Sequence, residues 1–424
     1  KERARVLPET MAKLTAVVVA LAAGVVSAYN NGLGATPPMG WNTWCTDDLC
    51  GVLDRCTEAE VKSIADAMAS NGMQDLGYDY ILLDDCWAAQ ERDADGRLAG
   101  NAKQFPSGMK AMADYVHSLG LKFGLYTCVG TYTCKQHRPG SYGHFDIDAQ
   151  TFADWGIDFV KADYCYHPDN ETAVEQYTAL SQALNATGRH MLFSTCEWGE
   201  EEVWSWGGDV AQMFRVQADH LPFWRFPQDG AGQGFGQGTK EIIEWMAHLQ
   251  PSQWTGPYSW MDPDFLMTLF LENETIGDYT PMTFIESRTE FSFWSLWSSP
   301  LILATDPRDM SEAKKSIILN KEVIDINQDP LFRGGDRIYN SETGAQVWSK
   351  PLANGDIAVI LYNSGNVATL PIKVTWEMLG WDKTASVTLR DLWAHEEVSA
   401  NLPGGFAAKI GPRDVRMLRL SQSA

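Results

Sequence analysis

The chain has 424 residues, 45% of them hydrophobic, and a formal net charge of −22. That length supports two domains and at least one large core, and the composition is globular rather than disordered. So much negative charge argues against a nucleic-acid partner and against an anionic membrane surface, and it suits a neutral substrate in an acidic or extracellular setting. Tryptophan is abundant at 17 residues; most belong in a core, but indole faces also stack well on sugars.

At the N-terminus Lys1, Arg3, Arg5 and Lys13 precede an apolar run from Leu14 to Val26, and Val26-Ser27-Ala28 fits a small-residue cleavage pattern. Residues 1–28 therefore read as a secretory signal, and Met11 as a natural start that would make residues 1–10 an upstream extension. The run falls short of the roughly 20 apolar residues a membrane span needs, and no other stretch qualifies. All 8 cysteines lie before residue 200, without a C-x-x-C pair or neighbouring His pattern that would suggest zinc. Asn170, Asn185 and Asn273 each head an N-x-Thr sequon. The expected location is outside the cell, or in the lumen of a lysosome or vacuole.

From residue 37 to about 305 short apolar strands alternate with helical stretches. Strands are predicted at 39–44, 78–84, 122–127, 158–163, 191–196, 211–218, 258–261 and 300–304, and helices at 58–70, 108–119, 148–155, 172–184 and 240–249. Thr57 and Glu60 match a capping box ahead of the first helix. This alternation predicts a (β/α)8 TIM barrel over 29–331, with a doubly wound sheet as the competing architecture because the strands near 211 and 258 are weakly defined. After Asp329-Pro330 helical periodicity stops. Short alternating strands at 346–349, 356–362, 369–374, 386–392 and 415–420, with a hairpin signal at Asn354-Gly355, predict an antiparallel β-sandwich over 332–424.

Carboxylates recur where barrel strands end: Asp84 and Asp85, Asp163, Asp219 and Asp264. One such Asp is most often a cap or turn residue, but several on one barrel rim point to a catalytic face. In Lys161-Ala162-Asp163 the alternation of a strand sends Lys161 and Asp163 into the barrel mouth together. A lysine there needs a carboxylate, so the pair predicts an ionised Asp163 fit to act as a nucleophile, against the plainer reading of a buried ion pair without chemistry. Arg215 and Asp219 offer a second cation with an acid, the arginine for sugar hydroxyls and the carboxyl for proton transfer. The glycine-rich run Gly230–Gly238 lacks the Gly-Lys-Ser/Thr ending of a phosphate loop and reads as a flap near Asp219. Asp84 and Asp85 occupy adjacent strand positions and so do not both face one ion; no metal is expected.

Six ordered motifs carry a resemblance: Thr36-Pro-Pro-Met-Gly-Trp-Asn-Thr-Trp44, Leu83-Asp-Asp-Cys-Trp87, Gly124-Leu-Tyr126, Lys161-Ala-Asp-Tyr-Cys165, Cys196-Glu-Trp-Gly199 and Trp260-Met-Asp-Pro-Asp264. They look like the motifs of glycoside hydrolase family 27, and the resemblance runs from about Gly34 to the C-terminus. It implies a barrel followed by a β-sandwich, and a retaining α-galactosidase needing no cofactor. Asp163 matches the nucleophile and Asp219 the acid/base. Asp84, Asp85, Lys161 and Arg215 match residues that hydrogen-bond the galactose ring, Trp41 and Tyr126 match pocket walls, and Asp264 matches another lining residue. Glu197 and Trp198 match the segment that reads the sugar's 2-position; two large residues there imply a plain hydroxyl rather than an acetamide. The resemblance also implies disulfides Cys45–Cys86, Cys50–Cys56 and Cys134–Cys165, with Cys134 joining two rim loops beside the sugar, Cys196 free, and Cys128 a small buried residue.

The expected substrates are α-galactoside oligosaccharides or glycoconjugates, with a homodimer left open. The alternatives are α-N-acetylgalactosaminidase, β-L-arabinopyranosidase or another glycosidase of the same scaffold, and, from another class, a galactose-binding protein without turnover.

Overall fold

A computed structural model describes residues 29–44, 56–225, 236–270 and 280–422. The signal segment, Cys45 and Cys50, Gly230, the Asn273 sequon and most of the glycine-rich run lie outside these residues.

Eight short strands form one parallel sheet: β1 (Met39–Asn42), β2 (Tyr80–Leu83), β3 (Lys122–Cys128), β4 (Phe159–Asp163), β5 (Leu192–Cys196), β6 (Met213–Arg215), β7 (Trp260–Asp262) and β8 (Leu301–Leu303). Their order is β7-β6-β5-β4-β3-β2-β1-β8, each strand beside its predecessor, with the last returning to the first. The seam between β7 and β8 is closed just beyond β7, where the Leu266 amide donates to Ile302 at 2.8 Å and the Ala304 amide donates to Leu266 at 2.9 Å. Sequential order and a bridged seam make this a curled (β/α) barrel, not a doubly wound sheet. The two strands that were weakest in the sequence, β6 and β7, are also among the shortest, at 3 residues each.

The helices are α1 (Glu58–Ser70), α2 (Gly108–Ser118), α3 (Phe145–Trp155), α4 (Ala173–Ala186), α5 (Gly207–Val210), α6 (Thr239–Leu249), α7 (Phe284–Trp297), α8 (Glu312–Ile318) and α9 (Lys321–Asn327). Thr57 caps α1, its hydroxyl accepting the Glu60 amide at 3.3 Å, and complete capping boxes start α4 at Thr172 and α7 at Thr283. Four of these helices, α5, α7, α8 and α9, carried no sequence prediction. Nearly every residue of α7 is buried, because the barrel covers one side and the C-terminal domain the other. An all-round buried helix has no polar face, and so no 3.6-residue signal.

The C-terminal domain is antiparallel. One sheet has the order β14-β13-β16-β11-β10-β9 and faces the pair β12-β15; the strands are β9 (Asp336–Asn340), β10 (Ala345–Pro351), β11 (Ile357–Asn363), β12 (Leu370–Val374), β13 (Val387–Asp391), β14 (Glu396–Leu402), β15 (Phe406–Ile410) and β16 (Val415–Gln422). It has its own core around Val347, Val359, Trp376 and Leu418. It docks on α7 through aromatic contacts, Phe293 lying 5.1 Å from both Trp348 and Tyr362, and through Arg288–Asp414 at 2.6 Å.

Two expected disulfides are corrected. Cys86 bonds Cys56, so neither Cys45–Cys86 nor Cys50–Cys56 forms. Cys56 precedes the α1 cap, is fully buried, and meets the loop that leaves β2; the sequence offered four cysteines for that loop and no geometric means of choosing among them. Cys134–Cys165 is present as expected, and Cys128 and Cys196 are free and buried.

Candidate active site

The C-terminal ends of the parallel strands converge, and five of the expected carboxylates arrive there. Asp163 is the last residue of β4. Its side chain is 8% exposed; Tyr126, from β3, donates its hydroxyl to Oδ2 at 2.8 Å, while Oδ1 is buried with no partner. Burial pushes the carboxyl up to about 6, with the Asp219 charge adding to the rise, and Lys161 and the Tyr126 hydrogen bond pulling it down.

Lys161 does enter the barrel mouth, but its direct partner is Asp84, 2.8 Å away. Its ammonium also lies over the rings of Tyr126 and Phe265, at 5.3 and 5.0 Å. Lys161 therefore acts on Asp163 through space rather than by a bond. Burial, which the Lys161 charge only partly offsets, keeps the pKa of the nucleophile candidate elevated. The Asp84 amide donates to the Thr43 hydroxyl, and its Oδ1 accepts the Asp85 amide. Asp85 accepts the Lys135 and Gln136 amides at 2.7 and 2.9 Å, so it anchors the loop that carries Cys134. Burial raises the Asp85 carboxyl despite those two bonds.

Asp219 stands four residues beyond β6, with 33% of its side chain exposed. Arg215 donates to it at 3.0 Å and pairs electrostatically with Asp264 at 3.0 Å. Burial and the Asp264 charge raise the Asp219 carboxyl, while Arg215 opposes them. Arg215 also donates to the Cys196 sulfur at 3.4 Å and to the Gln217 carbonyl at 3.2 Å; only its Nε is left buried without a partner. Most of its donors therefore serve the protein, which restricts the role expected for it toward sugar hydroxyls. Trp41 is fully buried with an unpartnered Nε1, and Tyr126 is buried beside Asp163.

Glu197 is fully buried, and both of its carboxylate oxygens accept backbone amides, from Gly199 at 3.0 Å and from Glu201. It ties a tight turn in which Gly199 has φ 83°, and a Cβ there would meet the Val216 carbonyl at 2.5 Å. Burial pushes the Glu197 carboxyl up to about 7. Trp198, the partly exposed member of the pair, has a left-handed backbone, φ 63°, and contacts the Tyr164 ring edge-on at 6.5 Å.

Two groups escaped the sequence reading. His220 follows Asp219 and is fully buried. Its amide donates to Asp264 at 2.7 Å, Nδ1 donates to the Phe265 carbonyl at 2.9 Å, Nε2 lies 3.0 Å from the Thr239 hydroxyl, and its ring stacks on Trp294. Burial lowers it to about 4, so the ring is neutral. Glu290, 3.7 Å away, is pushed by burial up to about 8, so the two meet as neutral groups and not as an ion pair. The second group is Asp262, which ends β7, accepts the Asp264 amide at 2.8 Å and is raised by burial to about 7. A buried neutral His leaves no pattern in a sequence; Asp262 was visible inside the last motif but hidden by Asp264. Among the described residues no group of three or more His, Cys, Asp or Glu side chains is arranged to hold a metal ion.

The glycine-rich run can be followed only at its end, where the Gln237 amide donates to the Asp219 carbonyl at 2.7 Å and brings the chain back alongside the acid.

The family model described as Alpha galactosidase A matches residues 36–329, and that described as Alpha galactosidase C-terminal beta sandwich domain matches residues 342–420. An alpha-galactosidase of Oryza sativa subsp. japonica is 38% identical over 394 residues, covering 93% of this chain and 87% of that protein. An alpha-galactosidase of Coffea arabica is 39% identical over 395 residues, covering 93% and 96%. Among solved structures, alpha-galactosidase I of Mortierella vinacea superposes with a TM-score of 0.85 at 34% identity over 93% of this chain and 99% of that one. The Saccharomyces cerevisiae enzyme with raffinose gives 0.83 at 28%, covering 94% and 100%.

Proposed function

The chain belongs to the α-galactosidase family of glycoside hydrolases, family 27, and from that premise we propose that Asp163 and Asp219 are the two carboxyl groups of its double displacement. The protein is a retaining α-galactosidase acting on α-galactosides. The observation that carries the assignment is the asymmetry between the two acids: one buried, with a single oxygen free, and one partly exposed, beside an arginine.

Asp163 Oδ1 attacks the anomeric carbon from the face opposite the leaving group, and Tyr126 holds the other oxygen still. Asp219, whose carboxyl is raised, gives its proton to the departing glycosidic oxygen and then takes one from water. The Asp219 charge raises the Asp163 pKa, so a singly protonated pair is favoured, which is the charge state the first step requires. Asp84 and Lys161, buried together below the rim, meet the ring hydroxyls. Trp198 bounds the sugar's 2-position and Glu197 fixes the turn that presents it, which favours a hydroxyl over an acetamide. Comparing kcat/KM on p-nitrophenyl α-galactoside and on its N-acetylgalactosaminide tests the specificity; equal values would overturn it.

We further read the chain as a product of an oxidising, glycosylating compartment, secreted or held in a lysosomal or vacuolar lumen. Its two described disulfides and the exposed sequon residues Asn170 and Asn185 support this. A mass shift on enzymatic removal of N-glycans from native material is the expected result, and unmodified sequons with free thiols would contradict it.

A further inference from the structure

We propose that Tyr132, His137 and Tyr166 form a subsite for the leaving group, a stacking corner for a neutral sugar attached to the galactose that is released. The inference rests on the α-galactosidase reading and deepens it.

The three rings come from two loops. Tyr132 and His137 follow β3, and Tyr166 follows β4, three residues after the nucleophile. Tyr132 and His137 stack at 4.1 Å with an interplanar angle of 17°, and Tyr166 stands nearly perpendicular to both, at 5.8 and 5.2 Å. Tyr132 is 44% and Tyr166 51% exposed, so this is a surface cluster and not an edge of the core. Large aromatic side chains gathered in solvent mark a binding surface more often than chance placement.

The corner is held in place rather than left to drift. Cys134–Cys165 staples the two loops. The Thr131 amide donates to the Tyr166 carbonyl at 3.1 Å, and the loops approach so closely that a Cβ on Gly130 would lie 1.9 Å from the Cys165 carbonyl. His137 and Tyr166 both keep left-handed backbones, φ 51° and 52°, which bulky residues adopt only when their surroundings impose it.

Its position relative to the chemistry follows from connectivity. The Cys134 amide donates to the Tyr126 hydroxyl at 3.5 Å, and that hydroxyl donates to Asp163. Tyr132 is two residues from Cys134, and a chain advances at most about 3.3–3.6 Å per residue. Tyr166 is three residues from Asp163, so by that reach their Cα atoms lie within roughly 11 Å of each other, and the exposure of Tyr132 and Tyr166 puts their rings on the solvent side of the buried nucleophile. Galactose occupies the buried end, among Asp84, Lys161 and Asp163, so what extends outward over this rim is the group it was bonded to. The corner presents ring faces and no carboxylate, which suits an uncharged sugar ring whose C–H face packs on an aromatic one.

The test compares one substrate that carries a sugar to stack with one that carries none: raffinose and α-galactosyl fluoride. The variants are Tyr132→Ala, Tyr166→Ala, their double, and the double Tyr→Phe at both positions, each checked for an intact Cys134–Cys165 bond by thiol titration. In the double alanine variant KM for raffinose should rise about tenfold, while kcat/KM for the fluoride stays within about twofold of wild type, as the loss of stacking at each ring would give. The double phenylalanine variant should behave as wild type, because the ring faces remain. Unchanged raffinose kinetics in the double alanine variant, or an equal loss on both substrates, would overturn the subsite. A wild type that does not turn over the fluoride would instead overturn the α-galactosidase reading beneath it.

Discussion

The two strands that deliver the proposed catalytic carboxyls are built differently. All five residues of β4 pair on both sides, with β3 and with β5, and Asp163 is itself part of that ladder, opposite Cys128 and Cys196. By contrast β6 is 3 residues long, and Asp219 lies past its end in a turn secured by Arg215, His220 and the Gln237 amide. A nucleophile must meet a carbon along one line, so a rigid strand end suits it. An acid/base must hand its proton to an oxygen and retrieve another from water, so partial exposure suits it better than rigidity.

The largest effect should fall on the rigid side. Asp163→Asn keeps the shape of the group and removes its ability to form a glycosyl ester, so turnover should drop to background on every α-galactoside while the circular dichroism spectrum stays unchanged. A rate near wild type would remove Asp163 from the mechanism. On the partly exposed side the loss should depend on the leaving group. Asp219→Asn should cost about 10²–10⁴-fold in kcat on raffinose, but much less in the first step with α-galactosyl fluoride, whose departure needs little protonation. Equal losses on both substrates would mean that Asp219 does not donate the proton.

Lys161 probes what keeps the nucleophile ionised. Its positive charge lowers the Asp163 pKa against the rise due to burial. Lys161→Met removes that charge, so Asp163 titrates higher, and the acidic limb of the kcat/KM profile moves to higher pH. A limb that stays in place would mean another group sets it. His220→Gln, which leaves the backbone amide to Asp264 but removes the stack on Trp294, should lower kcat several-fold and change KM little. A change confined to thermal stability would make His220 structural only.

The architecture was legible because its signals are periodic. The helices at Glu58–Ser70 and Lys240–Leu249 declare one apolar face, and the strands to Asp163 and Cys196 declare their burial by composition. Three strands of the sandwich, β9, β14 and β15, were not legible: β9 is largely exposed at Tyr339 and Asn340 and carries no apolar alternation. In the site, residue identity and strand-end position were readable; partnership was not. Lys161 and Asp163 share a strand face, yet the lysine bonds Asp84, just past β2, a choice made by packing of distant segments. The same limit explains the disulfide error at Cys56–Cys86, and it explains His220, whose role depends on Thr239, Phe265 and Trp294 reaching it from three other elements.

The smallest effect concerns stability, and it separates the buried site from the surface. Burial raises Asp163 to about 6, Glu197 and Asp262 to about 7 and Glu290 to about 8. A carboxyl whose folded pKa lies above its unfolded one contributes stability that is full below the unfolded value, near pH 4, and is lost as pH rises through the folded value. His220, lowered to about 4, and Lys350, lowered to about 7, work the other way as pH falls, the lysine only above its folded value. Four carboxyls outweigh them, so Tm should be higher at pH 5 than at pH 8. A lower Tm at pH 5 would show that these carboxyls are not protonated in the folded protein.

The central claim is that the reaction passes through a galactose bonded to Asp163. Incubation with 5-fluoro-α-galactosyl fluoride, which forms the glycosyl-enzyme faster than water can cleave it, followed by proteolysis and tandem mass spectrometry, reads the bond directly. The account predicts one fluorogalactosyl adduct, on the Asp163 carboxylate, absent from Asp163→Asn and retained in Asp219→Asn. An adduct on any other residue, or none in an enzyme that hydrolyses α-galactosides, would contradict it.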